Sequence, residues 1–69
     1  MMKTLDLHGT RHHEVERLVE NLVLLNGSWK IICGNSDKMI QMVQDKLNWL
    51  YKKHGVEWYK PTHNTFGSI

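Results

Sequence analysis

An acid, an imidazole and a glycine follow one another closely at Asp6, His8 and Gly9, at the end of a short apolar run. Because successive strand side chains point to opposite faces, Leu5 and Leu7 can face a core. Asp6 and His8 then share the other face, about 6 to 7 Å apart along the backbone. A carboxylate at that spacing can orient an imidazole, which can act as a general base or contact a phosphate. Asp6 and His8 are therefore the candidate catalytic residues.

A structural interpretation of the same residues is also open. Asp6 would then bond to nearby backbone in a turn, and His8 would simply be exposed. Gly9 permits a tight turn, and the N-terminus of a following helix has free N–H groups that favour anions such as phosphate. Magnesium at Asp6 is a further alternative, but a single carboxylate is a poor magnesium site, so no cofactor is expected.

A first strand and a first helix would position these residues. Residues 3–8 are predicted as the strand. The helix would follow Thr10 as its N-cap and end in left-handed backbone at Asn26-Gly27. Its apolar positions recur at helical spacing, at Val15, Leu18, Val19, Leu22, Val23 and Leu25.

A second strand and helix are predicted next. Residues 29–33 form a short apolar run bounded by polar residues and glycines, which is typical of a strand. Asn35 or Ser36 would cap a helix that ends at His54-Gly55. The apolar stripe of that helix consists of Met39, Ile40, Val43, Leu47, Leu50 and Tyr51.

The remaining residues predict two more strands. Residues 56–60 would form the third strand, closed by Pro61, and residues 66–69 the fourth, after a polar loop at 62–65. Alternating strands and helices indicate two right-handed βαβ crossovers and a mostly parallel or mixed sheet in a two-layer α/β sandwich. Two helices would leave one sheet face open. The length predicts a single domain, 1–69.

Two loops would follow the carboxyl ends of the first two strands. Ligands of such sheets bind beyond those ends, so these loops are the expected binding site. If the first two strands are neighbours, loops 6–11 and 33–38 would lie side by side there, each with a helix N-terminus. Cys33 is expected to be a small buried hydrophobic residue, not a nucleophile. Arg11, His12 and His13 precede or begin the first helix and could contact phosphates. The alternative is that they lie in a solvated turn without a ligand. The candidate nucleic-acid contacts are Gly9, Arg11, His12, Gly34, Asn35, Ser36, Lys38 and His63.

The stretch Leu5-Asp6-Leu7-His8-Gly9 resembles the Asp-Leu-His-Gly signature of small MutS-related (Smr) domains, and the resemblance covers essentially the whole chain. It implies a βαβαββ sandwich similar to the C-terminal domain of translation initiation factor 3. It also implies an endonuclease that nicks or cleaves RNA or DNA, with a non-catalytic nucleic-acid or ribosome-binding module as the alternative. The family's second motif, Thr-Gly-x-Gly or His-Gly-x-Gly, corresponds to Cys33-Gly34-Asn35-Ser36. There Ser36 replaces the second glycine, which narrows the permitted backbone angles.

Composition limits the class of partner. The net charge of +2 permits a polyanion such as RNA or DNA, and no segment approaches the roughly 20 apolar residues of a membrane span.

A single cysteine and the absence of an apolar leader favour a cytoplasmic location. The spacing of the five histidines matches no closed zinc site.

Five tryptophan and tyrosine residues could stack on bases, but most are expected in the core of so small a domain. Trp58 and Tyr59 point to opposite faces of the third strand. One of them should therefore lie on the open face of the sheet, as the only stacking candidate. An apolar open face would instead favour a small protein-interaction domain.

Overall fold

The computed structural model describes residues 2–69, which form one four-stranded sheet and two helices. The elements in chain order are β1 (Lys3–Asp6), α1 (His12–Leu25), β2 (Trp29–Ile32), α2 (Asp37–His54), β3 (Trp58–Thr62) and β4 (Thr65–Ser68). The strands lie in the order β1-β2-β4-β3. β1 pairs parallel with β2, whereas β4 pairs antiparallel with both β2 and β3. The protein is thus a small α/β domain with a mixed sheet.

The β3–β4 hairpin is the reason why the sheet is mixed and not mostly parallel. A two-residue turn, His63-Asn64, joins the strands, and so short a connection requires antiparallel pairing. β3 continues through Pro61, which the sequence predicted to close the strand. Proline is tolerated there because β3 lies at the sheet edge, and the register shifts between Tyr59 and Thr62.

Helix α1 begins and ends differently from the prediction. Its N-cap is Arg11, since the N–H of Thr10 donates to the carbonyl of Leu7 (2.9 Å) and Thr10 therefore belongs to the preceding turn. At the other end Asn26 is extended, and its side-chain amide donates to the Leu22 carbonyl (2.9 Å). This bond caps the helix without left-handed backbone. Leu25, predicted on the apolar stripe, is exposed.

Helix α2 has both of its predicted ends. The Ser36 hydroxyl accepts a hydrogen bond from the N–H of Met39 (3.1 Å), which caps the N-terminus. Gly55 adopts left-handed backbone (φ 70°) at the C-terminus, where glycine is favoured. Tyr51, however, lies off the buried stripe and is exposed. Within residues 2–69, neither helix is long and apolar enough to cross a membrane.

The core lies between the two helices and one face of the sheet. Along β2, Trp29 and Ile31 are buried and Lys30 is exposed, as expected of a strand covered on one side. An ion pair between Glu20 of α1 and Lys46 of α2 (2.8 Å) joins the helices outside the core. The hydrogen bond and the charge of Lys46 lower the pKa of the Glu20 carboxyl.

Aromatic residues fill less of the core than predicted. Trp29 is buried, and Trp58 is half-buried with its ring edge-on to that of Phe66. The other three are exposed: Trp49, Tyr51 and Tyr59. Most of the buried side chains are aliphatic residues of the two helices.

Candidate functional site

The first loop is a tight turn in which His8 is the second residue. The N–H of Thr10 donates to the Leu7 carbonyl (2.9 Å), and Gly9 has a φ of 79°. Since positive φ values occur only at glycines among residues 2–69, His8 has negative φ and the turn is type II. Such a turn favours glycine at its third position, where φ is positive. His8 therefore lies in the turn and not in the strand as predicted, because β1 ends at Asp6.

The carboxylate of Asp6 stabilises this turn. Its Oδ1 accepts a hydrogen bond from the backbone N–H of His8 (2.9 Å). The bond goes to the backbone of His8 and not to its imidazole, as in the structural interpretation of the pair. Both side chains are exposed. Any influence of Asp6 on the imidazole through this bond is therefore positional.

The second loop contacts the first through His8 and Gly34. A methyl group at Gly34 would lie 3.5 Å from Cδ2 of His8, so the imidazole rests against this glycine. Gly34 also has a φ of 75°, a conformation that other residues rarely adopt. The loops meet because β1 and β2 are parallel neighbours, and the N–H of Leu7 continues their pairing by donating to the Ile32 carbonyl (2.8 Å).

The turn of the β3–β4 hairpin joins the same edge through Asn64. The backbone carbonyl of Asn64 accepts from the N–H of Cys33 (2.8 Å), and its side-chain amide donates to the carbonyl of Gly34 (3.0 Å). His63 is the exposed neighbour of Asn64 in this turn. The sequence alone does not reveal these contacts of Asn64, because they depend on the register of the hairpin and no local pattern encodes that register.

Cys33 is buried beneath this edge, with 2% of its surface exposed, as predicted. Burial raises the pKa of its thiol to about 11, against a smaller opposing effect from the charge of Lys60. The thiol is therefore protonated at neutral pH and is not a nucleophile. Lys60 itself extends over the ring of Phe66, with Nζ 5.5 Å from the ring centre.

The remaining candidate contacts surround the two loops. Arg11 and His12 are exposed at the start of α1, and Asn35 and Lys38 are exposed at the start of α2. Ser36 is half-buried, and its φ of −95° is one that any residue adopts. The serine therefore fits this backbone conformation without strain.

Charges of both signs occur at the two helix starts. Arg11 and Lys38 supply cations, and Glu14 and Asp37 lie in the first helical turns. Among residues 2–69, no group of three or more His, Cys, Asp or Glu side chains is placed to hold a metal ion. Comparison with family models, curated proteins and solved structures found no match to this chain.

Proposed function

We propose that this chain is a nucleic-acid-binding domain of the small MutS-related type. We also propose that it cleaves phosphodiester bonds of the nucleic acid, with His8 as the general base. The contact between His8 and Gly34 supports this most, because it joins the Asp-Leu-His-Gly turn to the loop at the family's second motif. The order β-α-β-α-β-β supports the likeness to the C-terminal domain of translation initiation factor 3. A buried, reduced cysteine suits the cytoplasmic location that we propose with it.

Binding would rest on the ends of the two helices. Both α1 and α2 begin directly after the loops that meet at Gly34, and helix N-termini carry partial positive charge and free N–H groups. The exposed side chains of Arg11 and Lys38 add full charges beside them. Phosphates of a nucleic-acid backbone fit this combination, since they carry the opposite charge and accept hydrogen bonds.

Cleavage would use the exposed imidazole of His8 as a general base. In RNA it would take the proton of a ribose 2′-hydroxyl. The 2′-oxygen then forms a bond to phosphorus while the bond from phosphorus to the 5′-oxygen breaks, and the imidazolium returns the proton to that oxygen. RNA supplies its own nucleophile in this way, whereas DNA requires a positioned water. We therefore place RNA slightly ahead of DNA as the substrate.

A non-catalytic nucleic-acid or ribosome-binding module is the second candidate. Asp6 favours it, because its carboxylate bonds to the backbone N–H of His8 and leaves the imidazole to be oriented by other groups. Asp37 also brings negative charge to the start of α2. Such a module would keep the phosphate contacts without the chemistry.

The salt dependence of binding tests the phosphate contacts that both candidate functions share. The affinity for a labelled RNA should fall linearly with salt on a logarithmic scale, because bound phosphates release counterions. Arg11→Ala should weaken binding for every sequence and reduce the salt slope by about 1. Lys52→Ala is the matched control, since Lys52 lies in the last turn of α2. An affinity that does not change with salt concentration, or no binding at low salt, would contradict the proposal.

A further inference from the structure

The sheet face opposite the helices carries a row of four residues that are paired across all the strands. Thr4 pairs with Lys30, Lys30 with Gly67, and Gly67 with Tyr59. Paired residues of neighbouring strands point to the same face. Since Lys30 alternates with buried neighbours in β2, this row lies on the face away from the core.

Tyr59 is held in place on this face by Gly67. A methyl group at Gly67 would come within 3.1 Å of Cε1 of the Tyr59 ring, so the ring lies over the glycine. Gly67 is buried as a result, while Tyr59 remains 52% exposed. An aromatic ring fixed in this way offers a stacking surface at little further cost in conformational entropy.

A shallow recess lies beside the ring. Its volume is about 190 Å³, and its walls include Met2, Lys30, Tyr59 and Pro61. Drug-sized ligands occupy roughly 300–1,000 Å³, so this recess suits a single planar ring system. A lysine and an aromatic ring that line one recess fit a phosphate together with its base, and not an uncharged apolar partner.

We propose that this face binds an unpaired nucleotide, with its base stacked on Tyr59 and its phosphate on Lys30, so that the protein prefers single-stranded nucleic acid. The inference rests on the proposed function and names its substrate class. Bases of a duplex are stacked inside the helix and cannot reach Tyr59.

The recess lies on the same face of the sheet as Asp6 of the candidate site. Asp6 lies two residues beyond Thr4 on the same face of β1, and the His8 turn follows directly. β3 and β1 are three strand spacings apart in the sheet, which is about 14 Å. A single strand that covers roughly 4–16 nucleotides, as on other small domains, can therefore reach from Tyr59 to His8.

Binding of single-stranded RNA by Tyr59 variants tests this inference. The probe is a fluorescein-labelled RNA of about 12 nucleotides, with a hairpin duplex of matched composition and a DNA copy as further arms. Tyr59→Ala should weaken binding of the single strand by roughly 10- to 100-fold. Tyr59→Phe should preserve it, because the ring and its packing on Gly67 remain. Tyr51→Ala is the control, an exposed tyrosine on α2.

The outcomes separate this inference from the proposed function. A parent protein that binds neither single strand nor duplex would overturn both. If the parent binds RNA and Tyr59→Ala binds the single strand equally well, the stacking proposal fails and the phosphate site stands. An equal loss of duplex binding in folded Tyr59→Ala would also overturn it. Circular dichroism establishes folding, and Tyr59→Phe gives the comparison if the alanine variant unfolds.

Discussion

At the scale of single residues, Asp6 of the proposed catalytic pair stabilises the backbone. Its position two residues before His8 agrees with an acid that orients an imidazole. In the structure its Oδ1 accepts the His8 N–H at 2.9 Å and so stabilises the turn that presents His8. The hydrogen bond needs an oxygen acceptor, whereas a direct electrostatic effect on the imidazole needs a charge. Substitutions can separate these requirements.

Asp6→Asn and Asp6→Ala form the matched pair. Asparagine keeps the acceptor, so Asp6→Asn should melt near the parent and retain cleavage. Alanine removes the acceptor and should cost about 1 kcal/mol in the free energy of unfolding, with a lower cleavage rate because the His8 turn loosens. Thermal melting and cleavage assays of both variants measure this. A stable Asp6→Asn protein that has lost cleavage would show that the carboxylate charge acts on the imidazole.

At the scale of secondary-structure elements, Ser36 links the second loop to helix α2. Ser36 stands where the second motif of Smr domains has its second glycine. Serine permits a narrower range of backbone angles than glycine does. Its φ of −95° is open to any residue, and its hydroxyl accepts the N–H of Met39. The serine therefore contributes a helix cap and fits its backbone conformation without strain.

Ser36→Ala should lower the free energy of unfolding by about 1 kcal/mol, because the cap is lost. For a domain of this size that corresponds to a melting temperature roughly 4–8 °C lower. Ser36→Gly should cost only a few tenths of a kcal/mol and should leave the cleavage rate unchanged. Thermal melts and rate measurements test both expectations. A glycine variant that cleaves faster would show that the Ser36 side chain obstructs the substrate.

At the scale of the whole molecule, the sequence predicts the six elements but not how the last two pair. Each helix and strand carries its own local pattern, such as the apolar stripe of α1 or the glycine at the end of α2. The insertion of β4 between β2 and β3 depends on pairs such as Lys30 with Gly67, which lie far apart in the chain. No local pattern encodes such a pair.

The candidate site also has one part that the sequence predicts and another that it does not. The approach of the two loops follows from the rule for parallel neighbours, and the structure has His8 against Gly34. The contributions of Asn64 and Tyr59 were not predictable in detail, since both depend on the register of the β3–β4 hairpin. The exposure of Trp49 and Tyr51 likewise depends on how the two helices share the core.

Cleavage by a His8→Ala protein tests the central claim most directly. The substrates are single-stranded RNA, duplex RNA and supercoiled DNA, each with and without magnesium. His54→Ala is the control, an exposed histidine at the far end of α2. Circular dichroism and melting curves must first show that both variants fold, because a small domain has a thin stability margin.

We expect the parent and His54→Ala to cleave single-stranded RNA at similar rates. His8→Ala should cleave it on the order of 10²- to 10⁴-fold more slowly, with binding little changed, since it loses only the general base. A folded His8→Ala protein that cleaves as fast as the parent would remove His8 from the mechanism. A parent protein that binds RNA but cleaves none of these substrates would contradict the endonuclease claim and favour the binding module.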